Sequence, residues 1–348
     1  MIKVGKVLVF LTTAMVLLCG CSSTELEERN FPLAAAVTWE ETGGYQMALG
    51  FQRVSDVADQ KTEKENRANI AAAGTNSYEL FEEADAKNPG KMDYNHIKAL
   101  VIGQELLFHS EQLADFLDFV EQQNVIARST LLFTCKATPE ELMACGENLE
   151  DNVGNYLKDL ITSSQDHKSD AAVTLGDLLK AYHNQDEMLM IPELGLDSGQ
   201  PVIAGYEVLC GFTPAGYLTS EQGEQLLLSC GELLRYGIAM EDGSLIQLSG
   251  IHCQYEIRGN GAQVDETVWI SGNIKRFAGE IPENMEELFA DELTKQAQEQ
   301  LREQGIDLTN SYYKLGGYDR TAYVRYASDY PAYLANLRIQ YVCRFHEI

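Results

Sequence analysis

The stretch His96-Ile97-Lys98-Ala99-Leu100-Val101-Ile102-Gly103-Gln104-Glu105-Leu106, together with the residues up to Cys135, decides the fold. Ile97 to Ile102 is a short apolar run closed by a glycine, and it reads as a buried strand. Leu113, Phe116, Leu117 and Val120 then recur at helical spacing, and a second apolar run extends from Thr130 to Cys135. A strand, helix and strand of this length predict a crossover that lays two strands side by side in one sheet.

Working outward, Leu33 to Thr38 reads as a strand, and Tyr45, Met47, Leu49 and Phe51 alternate with smaller or polar residues as a second. A short helix is expected from Ser77 to Lys87, stopped by Asn88-Pro89-Gly90. Pro139 opens another helix, and two more are expected at Val153 to Thr162 and Leu175 to Tyr182, the last capped by Thr174. The charged stretch Asp56 to Asn69 reads as a solvated loop or helix face. Downstream, Ile251, Cys253, Tyr255 and Ile257 share one face of a strand. Gly259-Asn260-Gly261 turns the chain, and Val264, Glu266, Val268 and Ile270 return as a hairpin partner. A long helix from Glu283 to Gln304, with Leu288, Leu293, Ala297 and Leu301 inward, ends at Gly305. Leu337, Ile339, Tyr341, Cys343 and Phe345 share one face of the closing strand.

The fold class is therefore α+β (mixed α/β). A mixed-sheet N-terminal domain carries the crossover, and a strand-rich C-terminal domain carries one long helix. The glycines and proline of Pro192 to Gln200 divide them, giving domains at 31–195 and 200–348.

The chain has 348 residues, with 26 Lys+Arg against 53 Asp+Glu and a net charge of -27. So acidic a surface repels a polyanion, which excludes nucleic acid as a partner. A hydrophobic fraction of 45% and a charged fraction of 23% are those of a folded chain.

Lys3 and Lys6 precede an apolar run from Val7 to Leu18, and no acid stands before Glu25. This is a signal-peptide layout spanning residues 1–20. Leu18-Cys19-Gly20-Cys21 reads as a lipobox, with a branched apolar residue three positions before the cysteine and a small one immediately before it. Cys21 is the expected lipid attachment site, carrying S-diacylglycerol and an N-acyl chain, and residues 21–30 are its tether. Cys19 fits poorly, because bulky Leu18 stands where a small residue is needed. Losing Lys3 and Lys6 takes the net charge to -29. Such a body gains nothing from anionic headgroups, so lipid must hold it to the membrane.

Cys135, Cys145, Cys210, Cys230, Cys253 and Cys343 are widely spaced and read mostly as buried thiols. No C-x-x-C pair, H-E-x-x-H pair, G-x-S-x-G elbow, phosphate-cradling loop or G-x-G-x-x-G is present, so neither a metal nor another cofactor is expected. Neighbouring acids at Glu82-Glu83, Glu140-Glu141 and Glu286-Glu287 point in different directions on a helix and read as solvated faces. His96 reads as a buried hydrogen-bonding residue and Gly316-Gly317 as a turn. No catalytic constellation is found, and the protein is expected not to be an enzyme.

The segment from His96 to Leu106, a histidine leading into an apolar strand that ends in Gly-x-Glu, resembles the Ger(x)C spore-germination lipoproteins. Arg128 and Leu131 to Lys136 fall where that family has its second strand. Glu25-Leu26-Glu27-Glu28-Arg29 is similar to its charged stretch after the lipobox. Ile191-Pro192-Glu193, Ile203-Ala204-Gly205-Tyr206-Glu207-Val208 and Gly216-Tyr217-Leu218 resemble its boundary and the stretches beyond it. Gln123-Asn124 stands where the family often has Arg-Asp. The resemblance implies a lipid-anchored C subunit of a nutrient germinant receptor, on the outer face of the cytoplasmic (spore inner) membrane. Its partners would be two integral membrane subunits, of A and B type, and its own role structural and coupling. The alternative is a lipid-anchored solute-binding protein that delivers a small nutrient to a transporter.

Overall fold

The structure is a computed structural model that describes residues 29–51, 69–149, 151–162, 172–184, 188–239, 243–307, 309–327 and 329–347. The signal, Cys21 with its tether to residue 28, and residues 56–68 of the charged stretch lie outside the described residues. The chain enters on a two-residue strand, β1 (Arg29–Asn30), then forms the hairpin β2 (Pro32–Glu40) and β3 (Gly44–Phe51), with β4 (Ile70–Gly74) paired to β3. Helix α1 (Ser77–Ala86), capped by the Asn76 side chain, leads to β5 (Lys91–Met92), which pairs with β1. The crossover comes next, as expected: β6 (Ala99–Gly103), α2 (Gln104–Phe108), α3 (Ser110–Gln123) and β7 (Leu131–Cys135), with β6 and β7 parallel neighbours.

Three helices succeed it: α4 (Pro139–Ala144), α5 (Val153–Thr162) and α6 (Leu175–His183). Thr174 caps the last, its hydroxyl accepting from Asp177 N–H while the Asp177 carboxylate accepts from Thr174 N–H. Strands β8 (Met188–Asp197), β9 (Gln200–Cys210) and β10 (Thr213–Thr219) complete an eight-stranded sheet in the order β10-β9-β8-β7-β6-β2-β3-β4. The four central strands are parallel and both margins antiparallel.

Both faces of the central strands are covered, so they read as unbroken apolar runs. Ala35, Val37, Leu100, Ile102 and Leu132 face α1, α3 and α6, while Ala34, Ala36, Ala99, Val101 and Phe133 face α4 and α5. Alanines on β2 let helices come close. At Gly154 of α5, an added Cβ would stand 2.0 Å from the Leu33 carbonyl oxygen, so only glycine allows this approach.

After α7 (Ser220–Cys230), a second sheet runs β11 (Arg235–Ala239), β12 (Leu245–Asn260), β13 (Gln263–Ala278) and, parallel to β13, β14 (Leu337–Glu347). The chain crosses from β13 to β14 through α8 (Met285–Gln304), α9 (Ser311–Tyr318), α10 (Arg320–Tyr326) and α11 (Tyr330–Asn336). This body's core also takes Tyr206, Val208 and Leu218, from the face of β9 and β10 opposite Leu209. The eight-stranded sheet thus runs on past the 195/200 division and lends part of one face to the second body.

Two edge strands are closed in the same way. On β4 and the residue after it, Ala73 N–H donates to Glu83, Thr75 N–H to Glu79, and Lys87 donates to the Ala71 carbonyl. On β14, Tyr341 N–H donates to Thr294, Phe345 N–H to Glu286, and Gln298 donates to the Ile339 carbonyl. Side chains one or more helical turns apart reach successive outward backbone groups, a protection against pairing with another chain.

Three local expectations are corrected. Leu288 is 43% exposed, because the buried stripe of α8 runs through Met285, Phe289, Leu293, Ala297 and Leu301, to which Leu288 is out of phase. Gly316 and Gly317 lie inside α9 rather than in a turn. His96 is exposed and meets the Phe31 ring edge-on at 4.7 Å, so the preceding position faces out where the strand faces in. Of the six described cysteines, Cys135, Cys145 and Cys343 are buried and Cys210, Cys230 and Cys253 half-buried.

Candidate functional site

On the face covered by α1, α3 and α6, the apolar rows of the sheet end in polar residues. Leu100 and Ile102 are succeeded at the same period by Gln104, Leu132 by Thr134 and Lys136, and Leu189 and Ile191 by Glu193. On β9, Glu207 precedes Leu209 on that face and lies opposite Tyr217 of β10. The five side chains of Gln104, Lys136, Glu193, Glu207 and Tyr217 therefore gather where β6 and β7 end. In open sheets of this kind, the crevice outside the carboxyl ends of the strands is the usual place for a site.

Two glycines make the assembly possible. A Cβ on Gly103 would stand 2.4 Å from the Thr38 hydroxyl, so glycine lets the chain leave β6 against β2 and start the helix that carries Gln104. A Cβ on Gly205 would stand 2.2 Å from the Tyr217 hydroxyl, so the ring lies in the space that glycine leaves.

Glu193 and Glu207 are buried, at 4% and 2% exposure. Lys136 donates to Glu193 Oε1 at 2.8 Å and stands 5.0 Å from the centroid of the Tyr217 ring. Gln104 donates to Glu207 Oε1 at 2.6 Å. Glu193 Oε2 and the Thr134 hydroxyl are buried without a partner among the described residues. Burial raises the Glu207 carboxyl above its usual range, the Gln104 bond opposes this, and the charge on Glu193 adds to it. The bond to Glu193 raises Lys136 in turn. Above them opens a cavity of about 390 Å³, lined by Gln104, Phe108, Lys136, Glu207, Tyr217 and the irregular Pro214-Ala215-Gly216 stretch of β10.

A second polar cluster is closed over by the C-terminal body. Glu266 of β13 and Asp307, just past α8, are each 1% exposed. Asp307 accepts from the Ser311 hydroxyl at 2.8 Å, from Tyr312 N–H at 3.0 Å and from the Thr309 hydroxyl at 3.2 Å. Glu266 accepts only from Thr309, and its other oxygen has no partner among the described residues. The Glu266 carboxyl is pushed up to about 8 by burial and then by Asp307. Lys314 donates to the Thr309 carbonyl at 2.6 Å and stands 3.4 Å from the centroid of the Tyr255 ring.

Among the described residues no three His, Cys, Asp or Glu side chains gather to hold a metal ion, and no helix is long and apolar enough to cross a membrane. The acid pairs expected to be solvated each give one member to the scaffold. Glu83 and Glu286 close strand edges, and Glu141 completes the capping box of α4 with Thr138. Cys21 lies outside the described residues.

The spore germination protein N-terminal domain, as a sequence family, matches residues 22–196 of this chain, half its length. The chain belongs to the Ger(x)C family. Its fold is that of a solved structure: the crystal structure of the GerBC protein superposes with a TM-score of 0.59 at 11% identity, covering 90% of this chain and 96% of that one. No curated protein sequence matches. The Ger(x)C domain match ends at residue 196, in β8, whereas the sheet continues to Thr219. The stretches that carry the Ger(x)C resemblance converge in space: 96–106 brings Gln104, 131–136 brings Lys136, 191–193 brings Glu193, 203–208 brings Glu207 and 216–218 brings Tyr217. Sequence reasoning singled out none of the five as a site. The available signal was a charged residue at the period-two position next to an apolar row on three successive strands.

Proposed function

We propose that this protein is the lipid-anchored, extracytoplasmic C subunit of a spore nutrient germinant receptor, working beside two integral membrane subunits in a structural and coupling role without catalysis. The observation that carries the reading is the family match, which begins at residue 22, directly after the lipobox cysteine. The likeness to the fold of the GerBC protein over 90% of the chain supports it. In this reading Cys21 carries the diacylglycerol and N-acyl chains on the outer face of the spore inner membrane. The tether then leads within a few residues to β1, so the body is held close to the bilayer. Two or more acyl chains suffice for stable anchoring where a surface charge of this sign gives no attraction.

The reading as a solute-binding protein calls for two similar lobes around a hinge. Here an eight-stranded, three-layered body is joined to a dissimilar four-stranded one that shares its sheet. Spores whose sole copy carries Cys21→Ala are expected to lose the protein from the membrane fraction and to germinate poorly with nutrients. They should still respond normally to an agent that bypasses receptors. An unchanged nutrient response in a strain without paralogues sinks the proposal.

A further inference from the structure

The site at the carboxyl ends of β6 and β7 holds two buried carboxylates and one lysine. Glu193 and Glu207 together need two positive charges, or one charge and a proton, and the protein supplies Lys136 alone. Lys136 is committed to Glu193. Glu207 has a single donor, Gln104, on one oxygen, while its second oxygen has no partner among the described residues. At 2% exposure Glu207 nonetheless lines the cavity of about 390 Å³, a size in the range of small-molecule sites. That second oxygen is not among the buried atoms left without a partner, so it is reached from the cavity, where a charged donor could bond it.

The walls indicate which cation fits. Protein metal sites are commonly built on several His, Cys, Asp or Glu side chains, and no group of three of these that could hold a metal ion is found among the described residues. Instead the cavity presents the ring of Tyr217, which already faces the Lys136 ammonium, and the ring of Phe108, which is 52% exposed. Aromatic faces favour organic ammonium groups.

We infer that this cavity is a binding site for a small primary ammonium compound, whose charged end meets Glu207 and whose apolar end lies against Phe108 and Pro214. The inference stands apart from the receptor assignment, which depends on the family match and the lipid anchor. The other titrating groups around Glu207 are Glu193 from β8, Lys136 beyond β7 and Tyr217 from β10.

Calorimetric titration of the full mature chain with n-butylammonium, at constant ionic strength, tests it. Saturable binding with a Kd of about 1 mM is expected. n-Butanol has the same shape without the charge and should bind at least about tenfold more weakly. Glu207→Gln should weaken binding by a similar factor. Phe108→Ala, on an exposed side chain that folding does not depend on, should weaken it about threefold. Equal binding of n-butanol, unchanged affinity in both variants, competition by potassium at matched ionic strength, or no saturable heat would each overturn the inference. None of those results touches the membrane or germination phenotype of Cys21→Ala.

Discussion

The two buried acid sites make different use of the same chemistry. At the end of the eight-stranded sheet, Lys136 pairs with Glu193, Gln104 bonds Glu207, and Glu207 lines an open cavity. In the C-terminal body, Glu266 and Asp307 lie under Tyr333, itself fully buried and hydrogen bonded to Ser311, with hydroxyls and a backbone amide as donors. The first site pairs one of its carboxylates, Glu193, with a lysine whose side chain is 58% exposed. The second balances its charge with a proton. A buried carboxylate pair can be accommodated either way, but only the open one can exchange its counter-charge with something from solution.

The comparison is most sharply tested at Glu266. Its folded-state carboxyl lies near 8 against an ordinary 4.5, so the native state keeps a proton that the unfolded chain has released. Stability is complete below the lower value, falls as pH rises through the window between them, and levels off above about 8, a total on the order of 4–5 kcal/mol. Glu266→Gln, which mimics the protonated form, should flatten that slope in denaturant titrations run across the window. A slope equal to wild type would show that Glu266 is not the proton carrier.

A smaller effect is expected from Lys136→Met. It leaves Glu193 buried without its cation, and because the ammonium is well exposed the loss should be about 1–2 kcal/mol rather than the full cost of breaking a buried pair. Adding Glu207→Gln should recover part of it. Strict additivity in the double-mutant cycle would mean that the two carboxylates do not feel each other. Smallest of the three is Thr309→Val, which removes the one donor to Glu266 and a longer bond to Asp307. About 1 kcal/mol should be lost near neutral pH, and the titration of Glu266 should move upward, because that hydrogen bond favours its ionised form. A downward movement would reverse the role given to Thr309.

Much of the scaffold was legible because it is local. The crossover, the β12–β13 hairpin, the Thr174 cap and the Gly305 C-cap all rest on periodicity and cap residues within one short window. Glu266 also left a trace, as the one acid on the row Val264, Val268 and Ile270. Its partner was not legible, since Asp307 lies past α8 and comes beside β13 only when the chain folds back toward β14. The same holds for Leu288: apolar spacing names the helix, but which stripe is buried depends on where β14 lies.

The sequence by itself determined that the chain is acidic and folded, that its first residues read as a lipoprotein-type leader up to Cys21, that it mixes strands and helices around a crossover, and that it resembles the Ger(x)C family. Those properties come from composition and from spacings of a few residues. Tertiary structure decided that β8, β9 and β10 join the first sheet while lending their other face to the second body. It also decided that Gln104, Lys136, Glu193, Glu207 and Tyr217 meet. Residues more than one hundred positions apart become neighbours through strand order, which no local pattern encodes.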